Sequence, residues 1–88
     1  MNKKKITDYL VKKINKVRPI EKSFFKNIDK FNFISTGHID SIEILKFNLE
    51  IEDKFQISIK PNETVTKNYG TIGGLRSMII KKLLKKAK

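Results

Sequence analysis

The sequence contains no cysteine, and it has only one histidine and nine acidic residues among 88. Without cysteine there can be no disulfide framework, thiolate nucleophile or cysteine metal site, so any thiol chemistry must come from a bound group. No run of 18 apolar residues occurs, and we expect no segment to cross a membrane. The basic start, followed by the polar segment 6–9, does not fit a signal peptide. We therefore expect one small cytoplasmic domain spanning residues 1–88.

The charge is strongly basic and unevenly distributed. The chain carries 20 lysines and arginines, for a net charge of +11, yet residues 29–55 hold six acidic residues against three lysines. A positive excess of this size is typical of proteins that contact nucleic acid or an anionic membrane. Nucleic acid is disfavoured here, because the sequence shows no zinc ligands, helix-turn-helix pattern or aromatics interleaved with arginines.

Apolar periodicity predicts three main helices. The first runs from Lys4 to Val17 with one apolar stripe, and Pro19 ends it. We interpret its many lysines as a solvated face, with contact to an acidic partner or an anionic lipid surface as the alternative. The segment between Arg18 and Thr36 is rich in phenylalanine and isoleucine, and we expect it to pack back onto the helices as a structured loop.

The second predicted helix, Ser41 to Phe55, carries two apolar stripes on nearly opposite sides. The first comprises Ile44, Phe47, Ile51 and Phe55. The second comprises Ile42, Leu45 and Leu49. Only one stripe can face the core, so the other must meet a helix, a partner or a cargo. A last helix is expected from an N-cap at Thr71 to a basic end that includes Lys85, Lys86 and Lys88.

The start of the second helix has the pattern of a capping box. Asp40 is followed three positions later by Glu43, so each carboxylate can accept a hydrogen bond from a backbone N–H that the helix leaves without a partner. Ser41 then lies in the first turn. A phosphate ester on its hydroxyl would lie at the positive end of the helix dipole, among amide N–H groups. We therefore predict that Ser41 is an attachment point for a phosphate-linked group.

This segment, Gly-x-Ile-Asp-Ser-Ile-Glu at 37–43, resembles the Asp-Ser-Leu segment of acyl carrier proteins. The resemblance continues through Glu52-Asp53-x-Phe55 at the helix end, Ile57-x-Ile59-x-Pro61, and Thr71-Ile72. It covers nearly the whole chain and implies an all-α fold: a small four-helix carrier-protein bundle with a long structured loop between helices 1 and 2 and a short third helix. The position of Gly37, four residues before Ser41, is more similar to free-standing carriers of aminoacyl or specialised acyl groups, such as D-alanyl carrier proteins.

The resemblance implies a carrier with no turnover of its own. Its cofactor is 4′-phosphopantetheine on Ser41, whose thiol holds an acyl or aminoacyl group as a thioester in lipid or secondary-metabolite biosynthesis. Asp40 would cap the helix and contact the magnesium ion of a phosphopantetheinyl transferase. The other implied partners are a loading enzyme and a downstream acyltransferase or synthase. We expect a monomer without a resident metal site, and a contact of basic helices 1 and 4 with an anionic membrane is a further candidate.

Aligned on the serine, one side of the second helix matches the surface through which carriers touch their enzymes. The implied docking residues are Ile42, Glu43, Leu45, Lys46, Leu49, Glu52 and Asp53. Lys46 departs from the family, which usually has a glutamate there. The alternative function is an unmodified basic helical adaptor for an acidic protein, an anionic membrane or nucleic acid. An enzyme is disfavoured, because His38 lacks the orienting acid and oxyanion site that a Ser-His pair needs.

Overall fold

The computed structural model describes residues 2–66 and 68–86, which fold into helices joined by turns. Helix α1 spans Lys3–Val17, α2 spans Glu43–Phe55 and α3 spans Ile72–Lys86. Two 3-10 segments, Lys22–Lys30 and Pro61–Glu63, lie between them. The all-α prediction is confirmed. Lys88, part of the basic end expected for the last helix, lies outside the described residues.

Helix α1 has an N-terminal cap, a row of buried apolar residues and a proline just beyond its C-terminus. The Asn2 side chain accepts a hydrogen bond from the Lys5 N–H, so the helix begins at Lys3, one residue before the predicted start. Ile6, Leu10 and Ile14 are fully buried. Arg18 is already extended, as expected for the residue before Pro19.

The long connection after α1 is structured, and part of it is helical. Residues 22–30 form 3-10 turns interrupted at Asn27, whose φ of −145° and ψ of 61° are not helical. Phe31 and Phe33 are buried core residues, whereas Phe25 and Ile34 are exposed. The segment is therefore held by some of its aromatic residues and not by all of them.

Backbone hydrogen bonds join this loop to the start of α3. The Phe33 N–H donates to the Gly70 carbonyl at 3.0 Å, and the Ile72 N–H donates to the Phe31 carbonyl at 3.2 Å. The predicted N-cap is confirmed, because the Thr71 hydroxyl accepts from the Gly74 N–H at 3.0 Å. A Cβ on Gly74 would lie 1.8 Å from the Asn68 carbonyl oxygen, so only glycine permits this backbone approach.

The short helix expected between α2 and α3 is a single 3-10 turn at Pro61–Glu63. The Glu63 side chain accepts from the Lys60 N–H and pairs with Lys82 of α3, which fixes the turn to the last helix. No helix within residues 2–66 and 68–86 is long and apolar enough to cross a membrane.

Candidate functional site

The capping box predicted at the start of α2 is present. Asp40 Oδ1 accepts from the N–H groups of Ile42 at 2.9 Å and Glu43 at 2.7 Å, and Glu43 Oε1 accepts from the Asp40 N–H at 3.0 Å. The Asp40 carbonyl also accepts from the Ile44 N–H at 2.9 Å. These bonds fix the direction in which the chain enters the helix.

Hydrogen bonding favours the ionised form of Asp40. The Glu43 N–H contributes most, and the Ile42 N–H and the nearby Arg18 charge also hold the pKa of the Asp40 carboxyl below its ordinary value. A stable negative charge therefore stands next to Ser41.

Ser41 is exposed in the turn that leads into α2. Regular α-helix begins at Glu43, two residues later than the sequence predicted, and residues 41 and 42 form a turn. Ile42 already has helical angles, with φ −82° and ψ −44°. Ser41 thus lies at the N-terminal end of α2 and is exposed to solvent.

Arg18 connects the end of α1 to this turn. Its guanidinium donates to Glu43 Oε1 at 2.6 Å and to the His38 carbonyl at 2.8 Å. The hydrogen bond to Glu43 raises the pKa of Arg18. Because one Glu43 oxygen binds both Arg18 and the Asp40 N–H, the capping box is anchored to the first helix.

His38 is a structural residue of the loop. The ring is half-buried and packs edge-on against Phe31 at a centroid distance of 4.9 Å. Nε2 lies 3.1 Å from the Pro19 carbonyl, to which it must donate, and Nδ1 lies 2.7 Å from the Thr36 hydroxyl. Both nitrogens are engaged away from Ser41, so this ring is not placed to act as its base.

The two apolar stripes of α2 have separate environments. Phe47, Ile51 and Phe55 are buried, and Ile44 packs partly against the core. Ile42, Leu45 and Leu49 are 80%, 68% and 66% exposed. The structure therefore leaves the second stripe open to solvent, immediately beyond Ser41. We call these three side chains the apolar stripe.

The charged residues predicted to flank this stripe differ in what they bind. Glu43 is held by Arg18, and Glu52 Oε2 accepts from the Ile59 N–H at 2.8 Å, which fixes the loop after α2. Asp53 and Lys46 are exposed. Two of the three acids therefore stabilise the fold, and the exposed charges are one acid and one lysine.

A groove runs beside this surface between α1 and α2. Its apolar lining includes Tyr9, Ile39 and Phe47. Its basic lining comprises Lys12, Lys13 and Lys16 from α1 and Lys46 from α2. We call these four side chains and the groove they border the lysine groove.

Within the described part of the chain, no cluster of three or more histidine or acidic side chains could hold a metal ion. Sequence reasoning found Asp40, Ser41 and the apolar stripe, but it missed Arg18 and the lysine groove. Arg18 and Glu43 are 25 residues apart, and no local pattern indicates that they meet.

No known protein-family model matches the chain, and no curated protein sequence matches it.

Proposed function

We propose that this protein is a carrier that holds an acyl or aminoacyl group on a 4′-phosphopantetheine arm attached to Ser41. One observation carries the proposal: an exposed serine follows an ionised capping aspartate, directly before an exposed apolar stripe. A modifying enzyme needs access to the hydroxyl, and a carrier needs a surface on which successive enzymes can dock. Both requirements meet at the start of α2.

Each residue has a distinct role. The Ser41 oxygen forms a bond to the phosphorus next to the pantetheine of coenzyme A, the pyrophosphate bond breaks, and adenosine 3′,5′-bisphosphate leaves. The hydroxyl proton passes to a base of the transferase. Asp40 uses Oδ1 for the helix cap, so Oδ2 is the oxygen that can face a magnesium ion brought by the transferase and its substrate.

The arm, once attached, supplies the thiol that this cysteine-free chain lacks. Its phosphodiester lies where the helix dipole and the N–H groups of the first turn favour negative charge. Because the thioester is tethered, its delivery to an enzyme docked on the apolar stripe is effectively intramolecular and needs no tight binding. The partners are a transferase, a loading enzyme and a downstream acyltransferase or synthase.

Incubation with coenzyme A, magnesium and a broad-specificity phosphopantetheinyl transferase tests the proposal. We expect the intact mass to increase by one arm in the wild-type protein and in Ser35→Ala, which removes another exposed serine of the same region. We expect no increase in Ser41→Ala. An unmodified wild-type protein, or equal modification of Ser41→Ala, would favour the adaptor function.

A further inference from the structure

The charges around the apolar stripe differ from those that the carrier resemblance implies. Carriers of that family present acids that attract basic enzymes. Here Glu43 is bound to Arg18, and Glu52 is bound to the Ile59 N–H. Asp53 remains as an exposed acid at the far end of the stripe.

Lysines dominate the flank of the stripe that faces α1. Lys46 lies one helical turn from both Ile42 and Leu49, so it borders the stripe directly. Lys12 and Lys16 border the same groove from α1 and are exposed. None of these three lysines takes part in an ion pair with another described residue.

The carboxylates inside the groove are already paired with basic side chains. Glu50 is ion-paired with Lys13, and the charges of Lys46 and Lys16 further lower the pKa of its carboxyl. Glu43 is paired with Arg18. The groove therefore presents a net positive charge next to three exposed apolar side chains.

We propose that the apolar stripe and the lysine groove form one docking surface for a partner protein that presents acidic side chains beside apolar ones. The partner is the enzyme that loads or unloads Ser41, so the assignment rests on the proposed function. A protein fits better than a lipid surface, because a uniformly anionic bilayer would repel Asp40 and Asp53 at the two ends of the stripe. Nucleic acid would meet the same repulsion and would leave the apolar side chains without contacts.

A pair of synthetic helical peptides tests the charge preference. Both carry the same leucine stripe; one flanks it with glutamates and the other with lysines. We expect fluorescence anisotropy to show at least tenfold tighter binding of the glutamate peptide to the wild-type protein, with a loss of affinity as salt rises. Equal affinity, or preference for the lysine peptide, would overturn the proposal.

Two triple variants with the same net charge locate the site. Reversal at Lys12→Glu, Lys16→Glu and Lys46→Glu should weaken binding of the glutamate peptide about tenfold or more. Reversal at Lys22→Glu, Lys26→Glu and Lys30→Glu, on the first 3-10 segment, should leave it within about twofold. An equal loss in both variants would show attraction to net charge alone. If the charge-reversed protein fails to fold, a variant with glutamine at the same three positions, Lys12, Lys16 and Lys46, takes its place.

Two further measurements separate the remaining outcomes. The two charge-reversal variants should bind equally to vesicles of phosphatidylcholine with phosphatidylglycerol. If the variant reversed at Lys12, Lys16 and Lys46 alone lost vesicle binding while its affinity for the glutamate peptide was unchanged, the occupant would be a lipid and the proposal would be overturned. The mass gain at Ser41 is scored separately. A wild-type protein that takes the arm but shows no preference for the glutamate peptide refutes only the docking surface, whereas the absence of a mass gain refutes the carrier function.

Discussion

Gly74 shows how a single residue sets the packing of α3. In a helix interior alanine is more stable than glycine by about 1 kcal/mol, so propensity alone favours the substitution. A Cβ at this position would stand 1.8 Å from the backbone oxygen of Asn68, a separation that no side-chain rotation can relieve. The close approach of the Asn68 backbone should therefore outweigh the gain in helix propensity, so that Gly74→Ala destabilises the protein.

We expect Gly74→Ala to lower the free energy of unfolding by about 1–3 kcal/mol, the usual cost of overpacking. Urea unfolding followed by circular dichroism measures it. Ser77→Ala, on an exposed position of the same helix, is the control and should change stability by less than about 0.5 kcal/mol. A Gly74→Ala protein as stable as the control would contradict the contact.

The Ser41 region shows what single residues reveal before a structure is known. Asp40 and Glu43 are three positions apart, and that spacing alone predicted the capping hydrogen bonds that the structure contains. The roles of Arg18 and His38 could not be predicted, because their partners are distant in sequence and depend on where the loop places them.

At the scale of elements, α2 has one apolar side packed in the core and a second apolar side exposed to solvent. Its buried stripe holds the helix to the core, whereas the three side chains of the apolar stripe are mostly exposed to solvent. The contribution to stability and the proposed docking role can therefore be tested separately by substitutions on opposite sides of the same helix.

We expect Ile51→Ala to cost about 2–5 kcal/mol, because it removes a fully buried side chain. Leu49→Ala should change the free energy of unfolding by less than about 0.5 kcal/mol, since that side chain is 66% exposed. Urea unfolding of the two variants measures the difference. A large loss in Leu49→Ala would mean that the apolar stripe belongs to the core.

Sequence periodicity predicted the main helices well and the connections only in outline, as a structured loop after α1 and a short third helix. The two ends of α1 and the start of α3 differ little from prediction, because caps and proline act locally. Residues 22–30 form interrupted 3-10 turns, and the expected third helix is a single turn at Pro61–Glu63. The turn at Pro61–Glu63 has a local capping hydrogen bond from the Lys60 N–H, but the ion pairs of Asp29 with Arg76 and of Glu63 with Lys82 join residues that no local pattern relates.

At the scale of the whole molecule, carboxylates join elements of a strongly basic chain. Asp29 makes two hydrogen bonds of 2.8 Å to Arg76, Lys13 binds Glu50, and Lys82 binds Glu63. Each of these carboxyls has a lowered pKa, and in each case a hydrogen bond is the main cause. The donor is Arg76 for Asp29, Lys13 for Glu50 and the Lys60 N–H for Glu63. These contacts also offset part of the mutual repulsion of the positive charges.

Stability should consequently fall in acid. Because these pKa values are lower in the folded protein, the unfolded chain takes up protons first. Their contribution to stability is therefore complete above about pH 5 and is lost progressively as the pH falls below the pKa values of the unfolded chain. We expect a lower urea midpoint at pH 3 than at pH 6. Asp29→Asn should be less stable at pH 6 and should show a smaller change between the two pH values; a midpoint independent of pH would contradict the role of these contacts.

The most direct test of the carrier function is the chemical state of the Ser41 oxygen after coexpression with a phosphopantetheinyl transferase. Trypsin should release residues 31–46 as one peptide, which contains Ser35, Thr36 and Ser41. Fragment-ion mass spectrometry of this peptide locates any added group. We predict one phosphopantetheine arm, on Ser41 alone; an unmodified peptide, or an arm on Ser35 or Thr36, would contradict the proposed function.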